Sequence, residues 1–240
     1  MTALKKTILF FRHGESEANI NPNHDNQEIL DAILTPLGIE QAHSWSEDST
    51  LTETLASVEV CLCSPLRRAM QTAALVFQNQ YHVPIIVNRY AREKWWHLYQ
   101  CRGVKHAEIV QYSNSLCRDI EQVDRLKEVN KFWNPEEESA AMVDKTPNEF
   151  AQLSVEAIQK FLYICQTHEA KTLAVACHWG VIHELLGVEP TNAELLVTEL
   201  TVDTGEFRII DRRTVPTQLL RPHGTCTLTT AIPTLPSECK

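Results

Sequence analysis

The sequence predicts an α/β fold: a three-layer αβα sandwich with a mostly parallel central sheet. Short, near-continuous apolar runs recur at residues 8–11, 58–63, 84–87 and 172–177, and each reads as a buried strand. Segments with helical spacing separate them, the pattern of strand–helix–strand crossovers. Polar residues capable of chemistry fall just past the strand ends, where open α/β sheets bind ligands.

The first run, Ile8-Leu9-Phe10-Phe11, is too short for a helix and leads into Arg12-His13-Gly14. Gly14 permits backbone angles that a side chain resists, which suits the turn leaving the strand. A helix or turn begins at Glu17, and residues 21–26, rich in Asn and broken by Pro22, read as a loop. Thr35 reads as an N-cap with Pro36 at the first helical position, in a helix that turns Leu37, Ala42 and Trp45 inward. The second strand, 58–63, is followed by Ser64 as cap and Pro65 as helix start. Leu66, Ala69, Ala73, Val76 and Phe77 then recur at helical spacing.

After the third strand at 84–87, residues 88–103 are irregular and aromatic. Trp95, Trp96 and Tyr99 there either fold over a site or pack on the core. Residues 106–145 read as a helical insertion with an acidic turn at Pro135-Glu136-Glu137-Glu138. A helix from Thr146 to about His168 carries the stripe Phe150, Leu153, Ala157, Phe161 and Ile164. The strand at 172–177 ends in His178, and a helix follows from Val181 to Leu186. Residues 194–202 and 206–210 pair as a hairpin across Asp203-Thr204-Gly205. Residues 1–212 are expected to form a single domain. Residues 213–240, with four prolines and little charge, read as an extended or disordered tail.

Composition narrows the function. A net charge of −9 over 240 residues gives no electrostatic footprint for nucleic acid and no attraction to an anionic membrane. The apolar stretch after Lys5-Lys6 is too short for a secretory signal, and no run approaches a membrane span. The eight cysteines form no C-x-x-C pair, so reduced thiols in the cytoplasm are expected and no metal site is implied. Cys61, Cys63 and Cys177 read as small core residues on strands. Strand alternation turns Cys177 away from His178, and no third ligand accompanies His178 and His183.

Arg12 offers a planar fork of donors suited to a phosphate or carboxylate, and a neighbouring guanidinium favours the neutral, nucleophilic form of His13. The pair describes either a site that holds an anion and attacks it, or polar residues that merely end a strand.

Arg12-His13-Gly14-Glu15-Ser16 with Asn19, Ser64-Pro65-Leu66-Arg67-Arg68-Ala69 with Gln71-Thr72-Ala73, Arg92-Glu93, and Cys177-His178-Trp179-Gly180-Val181-Ile182 resemble the histidine phosphatase superfamily in order and spacing. The resemblance runs from about residue 7 to 187 and lies in the branch that includes cofactor-dependent phosphoglycerate mutases. It implies a metal-independent phosphatase that hydrolyses phosphomonoesters through a phosphohistidine on His13, without a cofactor. Arg12, Arg68, His178 and Asn19 would bind the phosphate, and His178 would also serve catalysis as donor or cation. Glu93 would be general acid and base, unless it forms a loop salt bridge with Arg92 or Lys94. Glu15 and Asn19 would support the pocket, Ser64 would hydrogen-bond near His13, and Gln71 would be structural. Arg67 would face solvent or make a secondary anion contact. The substrate would be a phosphorylated small molecule or a phosphoprotein.

Trp179 departs from the pattern, since many members have His followed directly by Gly, and it either walls the pocket or packs elsewhere. Residues 106–145 lack the basic segment that mutases place around their substrate, which favours hydrolysis. The alternatives are a mutase-like phosphoryl transferase and a phospho-ligand binding module with little catalysis.

Overall fold

The computed structural model of the chain describes residues 3–21, 29–94, 99–121 and 147–220. Seven strands form one sheet: β1 (Lys5–Arg12), β2 (Val60–Cys63), β3 (Ile85–Val87), β4 (Ile120–Glu121), β5 (Thr172–Cys177), β6 (Leu195–Thr201) and β7 (Glu206–Arg213). Their spatial order is β4-β3-β2-β5-β1-β6-β7. The first five in that order run parallel, and β6 and β7 add an antiparallel hairpin. The mostly parallel αβα sandwich is therefore present.

Alternation along β1 builds the two cores. Leu9 and Phe11 face one cluster, with Trp45 of α2 (Pro36–Glu47), Leu55 of α3 (Thr52–Ala56), Ala69, Met70 and Ala73 of α4 (Arg67–Val76), and Ile109 of α5 (His106–Ser113). Ile8 and Phe10 face the other, with Phe161 and Cys165 of α6 (Pro147–Thr167) and Val181 and Ile182 of α7 (Trp179–Leu186). Apolar side chains on both faces of a strand are what a central parallel sheet requires. Lys6 is buried on β1, and its ammonium donates to the carbonyls of Cys165 and His168 at the end of α6, a cation placed where helix carbonyls are unpaired.

The expected elements are found, with shifts at their ends. Thr35 caps α2 by accepting from Gly38 N–H at 3.0 Å, with Pro36 first in the helix. Ser64 does not cap α4. Its Oγ accepts from Leu66 N–H at 3.2 Å, and the helix starts two residues after Pro65, at Arg67. The short helix after β1, α1 (Glu17–Ile20), is closed by a capping box between Ser16 and Asn19. The hairpin turns at Gly205, whose φ of +73° suits glycine, and a register shift leaves Ile210 bulged on the edge strand β7. Within the expected insertion, residues 106–113 are helical and residues 120–121 join the sheet. Residues 122–146, including the acidic turn, lie outside the described residues. Of the expected tail, Val215 is buried and Leu219 O accepts from Gln41 Nε2 at 2.9 Å, while 221–240 lie outside the described residues. The loop at 22–28 also lies outside them.

Three backbone bonds tie the strand ends into one rim. His13 N–H donates to Cys177 O, Ser64 N–H to Ala176 O, and Arg12 N–H to Glu194 O. The helix α2 reaches this rim by direct backbone contact. A Cβ on Gly14 would lie 2.4 Å from Gly38 O, and one on Gly38 would lie 1.9 Å from Glu15 O. Gly14 is not among the positive-φ glycines, so its role is this close approach and not the turn geometry expected of it.

Gly38→Ala tests that contact. Alanine ordinarily stabilises a helix interior by up to about 1 kcal/mol. Here overpacking dominates, and a loss of about 1–3 kcal/mol is expected by urea denaturation.

Candidate active site

Arg12, His13, Ser16, Ala18, Asn19, Arg68, Glu93, Gln100 and Cys101 line one pocket at the carboxyl rim of the sheet. The positions singled out in sequence therefore converge, with His178 buried behind His13 at a ring-centroid distance of 5.1 Å.

His13 follows the last residue of β1. Its Nδ1 lies 2.7 Å from Gly14 O, a pure acceptor, so Nδ1 carries the proton. Its Nε2 accepts from Arg68 Nε–H at 3.1 Å, so Nε2 carries the lone pair. Both contacts demand the same neutral tautomer. Burial, then the charges of Arg68 and Arg12, push the imidazole well below its ordinary pKa, so it stays neutral on the acid side of neutrality.

Arg12 sends Nη1 to Pro190 O at 2.8 Å, and its Nε is buried without a hydrogen-bond partner among the described residues. Burial lowers its pKa to about 10, which leaves it charged at neutral pH. Arg68, on the first turn of α4, spends Nη1 on Gln100 O at 2.9 Å. Thr72 Oγ1 accepts from Gly14 N–H at 3.1 Å and donates to Arg68 O at 2.8 Å, so α4 fixes His13 and Arg68 together.

His178 opens α7. Its Nε2 is 2.7 Å from Ser64 Oγ, and its Nδ1 has no partner among the described residues. Burial first, then Arg68 and His13, hold its pKa far below the ordinary value. Ser64 thus reaches His178 and bonds to it. Glu93 sits at the amino end of α7. Its Oε1 accepts from Lys94 N–H at 2.8 Å and Gly180 N–H at 3.1 Å, while Oε2 has a 3.3 Å contact with Gly180 N–H. Burial raises its pKa despite those donors. A Cβ on Gly180 would fall 2.2 Å from Oε1, so glycine there makes room for the carboxyl. Lys94 pairs with Glu184, and Arg92 donates to Cys101 O, so each has a partner of its own away from the carboxyl.

Asn19 Oδ1 accepts from Ser16 N–H, Ser16 Oγ and Asn192 Nδ2 at 2.9–3.0 Å, which aims its amide nitrogen away from that cluster. Glu15 accepts from Thr35 Oγ1 at 2.8 Å, and Gln71 Oε1 accepts from Leu34 N–H and Tyr112 Oη, both 3.1 Å. Arg67 does not line the pocket, and its side chain is partly exposed, at 26%. Its Nε donates to Asp31 O, its Nη2 to Leu30 O, and its backbone N–H to the buried Asp31 carboxylate. Trp179 is not among the pocket-lining residues, and stacks on His183 at 4.6 Å and 8°. Trp95, Trp96 and the Tyr99 side chain lie outside the described residues.

Gln100, Cys101, Ala18 and Asn192 belong to the site or its support and were given no role from sequence, and Thr72 was quoted only as part of a motif. Asn192 lies on a strap, residues 190–194, behind the nucleophile. Ala193 there has φ +55° and is held by its N–H on His13 O at 3.0 Å and its carbonyl under Trp45 Nε1 at 2.6 Å. The buried Glu194 takes Thr191 N–H at 2.6 Å and pairs with Arg212. Cys61, Cys63 and Cys177 are core residues, and no disulfide joins the six cysteines among the described residues. Among those residues no cluster of three His, Cys, Asp or Glu side chains could hold a metal, and no helix is long and apolar enough to cross a membrane.

A family model, "Histidine phosphatase superfamily (branch 1)", matches residues 8–213. A Schizosaccharomyces pombe protein named a probable phosphatase is 33% identical over 87 residues, which is 35% of this chain and 39% of that protein. The match thus spans well under two thirds of the curated relative. Among solved structures, an Escherichia coli chain inferred to be an alpha-ribazole-5'-P phosphatase has TM-score 0.54 at 19% identity, covering 90% of this chain and 98% of its own. A mycobacterial glucosyl-3-phosphoglycerate phosphatase complexed with VO3 has TM-score 0.51 at 18%, covering 88% and 100%. These two show a shared fold.

The tautomer is open to measurement. In long-range ¹H–¹⁵N spectra of the imidazoles at pH 6, His13 should show a protonated Nδ1 and an unprotonated Nε2, while an exposed histidine of pKa about 6.5 is already mostly charged. An imidazolium signal for His13 at that pH would contradict the geometry.

Proposed function

The chain belongs to the histidine phosphatase superfamily, and from that premise we propose that it hydrolyses phosphomonoesters without a metal ion, through a phosphohistidine on Nε2 of His13. The observation that carries this reading is the forced tautomer of His13. Its Nε2 lone pair, which accepts Arg68 Nε–H in the free protein, lies in a pocket lined by two guanidinium groups and is released for attack when that N–H turns to a phosphoryl oxygen.

In the first step the Nε2 lone pair attacks phosphorus and the bond to the leaving oxygen breaks. Arg12 and Arg68 offset the charge gathering on the phosphoryl oxygens, with Asn19 and His178 as further donors. The buried donor Arg12 Nε, which lacks a partner among the described residues, suits this role. Glu93, whose pKa burial raises, gives the proton of its acid form to the leaving oxygen. In the second step the Glu93 carboxylate takes a proton from water, the resulting hydroxide attacks phosphorus, and the N–P bond pair returns to Nε2. Inorganic phosphate leaves.

The substrate class in this reading is a phosphorylated small molecule, which suits a pocket walled by small and polar side chains. The absence of a disulfide among the six described cysteines accords with a cytosolic setting in this reading.

The expected result is hydrolysis of an aryl phosphate in excess EDTA that His13→Ala abolishes, with ³²P trapped on the wild-type histidine and stable to alkali. Activity surviving in His13→Ala would sink the mechanism. Activity that appears only with a bisphosphorylated cofactor would favour the phosphoryl transferase instead.

The pH profile follows from the two shifts. His13 must be neutral, so kcat/KM falls as pH drops through its depressed pKa. Glu93 must be protonated, so kcat/KM falls as pH rises through its elevated pKa. A bell centred on the acid side of neutrality is expected, and Glu93→Gln should remove its alkaline limb.

A further inference from the structure

Glu93 is followed by a residue that ties it to two helices at once. Lys94 N–H donates to Glu93 Oε1, and Lys94 O accepts from Ser154 Oγ of α6 at 2.7 Å. The Lys94 stem crosses Gly180 so closely that a Cβ there would lie 2.6 Å from Lys94 Cγ. Its ammonium pairs with Glu184 of α7 and lies 5.8 Å from the centroid of the Trp179 ring. Trp179 in turn is braced against His183, one turn along α7. The lysine side chain is 13% exposed and its stem is packed, while its partner Glu184 is 41% exposed, so the stem is buried and the ion pair opens to solvent.

The geometry points to Lys94 and Trp179 as positioning residues for proton transfer: a clamp that fixes Glu93 Oε1 and presents Oε2 to the leaving oxygen. This rests on the reading of Glu93 as the general acid. Oε1 already accepts two N–H groups, so the proton resides on Oε2, whose single contact among the described residues is the longer one. Trp179, the departure from the family pattern, thereby acts on the acid from outside the pocket.

A clamp of this kind matters in proportion to how much the leaving group needs a proton. The test is a series of aryl phosphates whose phenols run from nitrophenol to methylphenol, with kcat/KM plotted against leaving-group pKa. Lys94→Met, Trp179→Leu and the milder Glu184→Gln are compared with wild type and with Glu93→Gln. The clamp variants should lose about tenfold or more on the methylphenol ester and less than about threefold on the nitrophenol ester, so the plot steepens toward that of Glu93→Gln. A uniform loss across the series would mark a structural effect and overturn the proposal, as would an unchanged slope in all three. Glu93→Gln guards the premise: if its slope matches wild type, the acid assignment fails. If it steepens while the clamp variants do not, the clamp alone fails.

Discussion

The site depends on one hydrogen bond, from Nδ1 of His13 to the carbonyl of Gly14. It fixes the ring, assigns the proton and leaves Nε2 bare. The carbonyl can play this part because its peptide is held on several sides. Gln41 Oε1 accepts the N–H of that peptide, from Glu15, at 2.8 Å, Thr72 Oγ1 accepts Gly14 N–H, Gly38 packs against Gly14, and Asn192 Nδ2 contacts the carbonyl oxygen at 3.4 Å. A neutral imidazole between two guanidinium groups is the electrostatic consequence, since charging it would put three buried cations together.

Around this bond the molecule divides its labour. The parallel strands deliver Arg12, Ser64 and His178 to one rim, and backbone bonds between the strand ends set their spacing. Helices supply the second group. α4 brings Arg68, and the first turn of α7 offers Gly180 N–H to the carboxyl of Glu93. Loops supply the rest through carbonyls. Pro190 O, Gln100 O and Cys101 O each take an arginine, so the guanidinium groups are aimed by parts of the chain that carry no charge.

That division explains what could be read in advance. Strands were legible because apolar runs mark themselves by residue type, and the side chains that meet at the pocket were legible through the motifs of the family resemblance, the Arg12-His13 pair alone leaving a strand end equally open. The strap at 190–194 was not, because its contribution is made by the carbonyl of Pro190 and the amide of Ala193, which any residue possesses. The strain at Ala193 leaves no trace in composition either. Gly14 was legible as special, yet for the wrong reason: its constraint comes from Gly38, 24 positions away and on another element. Arg67 and Arg68 show the converse. Adjacent and chemically identical, they part because the helix turns one toward Asp31 and the other toward His13.

The order of the strands has a consequence for biosynthesis. β1 occupies an inner place in the sheet, and its two neighbours are β5 and β6, with Thr7 opposite Thr172 and Glu199. His13 is thus synthesised well before the strands that flank β1. Its partners Cys177, Asn192 and Ala193 are among the last of the described chain. Until they emerge, Ile8, Leu9, Phe10 and Phe11 have no sheet to enter and remain an apolar segment open to mispairing. A nascent chain stalled before residue 195 holds Arg12, His13, Asn19, Arg68, Glu93 and His178 but not β6, so the pocket can be completed only after its side chains have all been made.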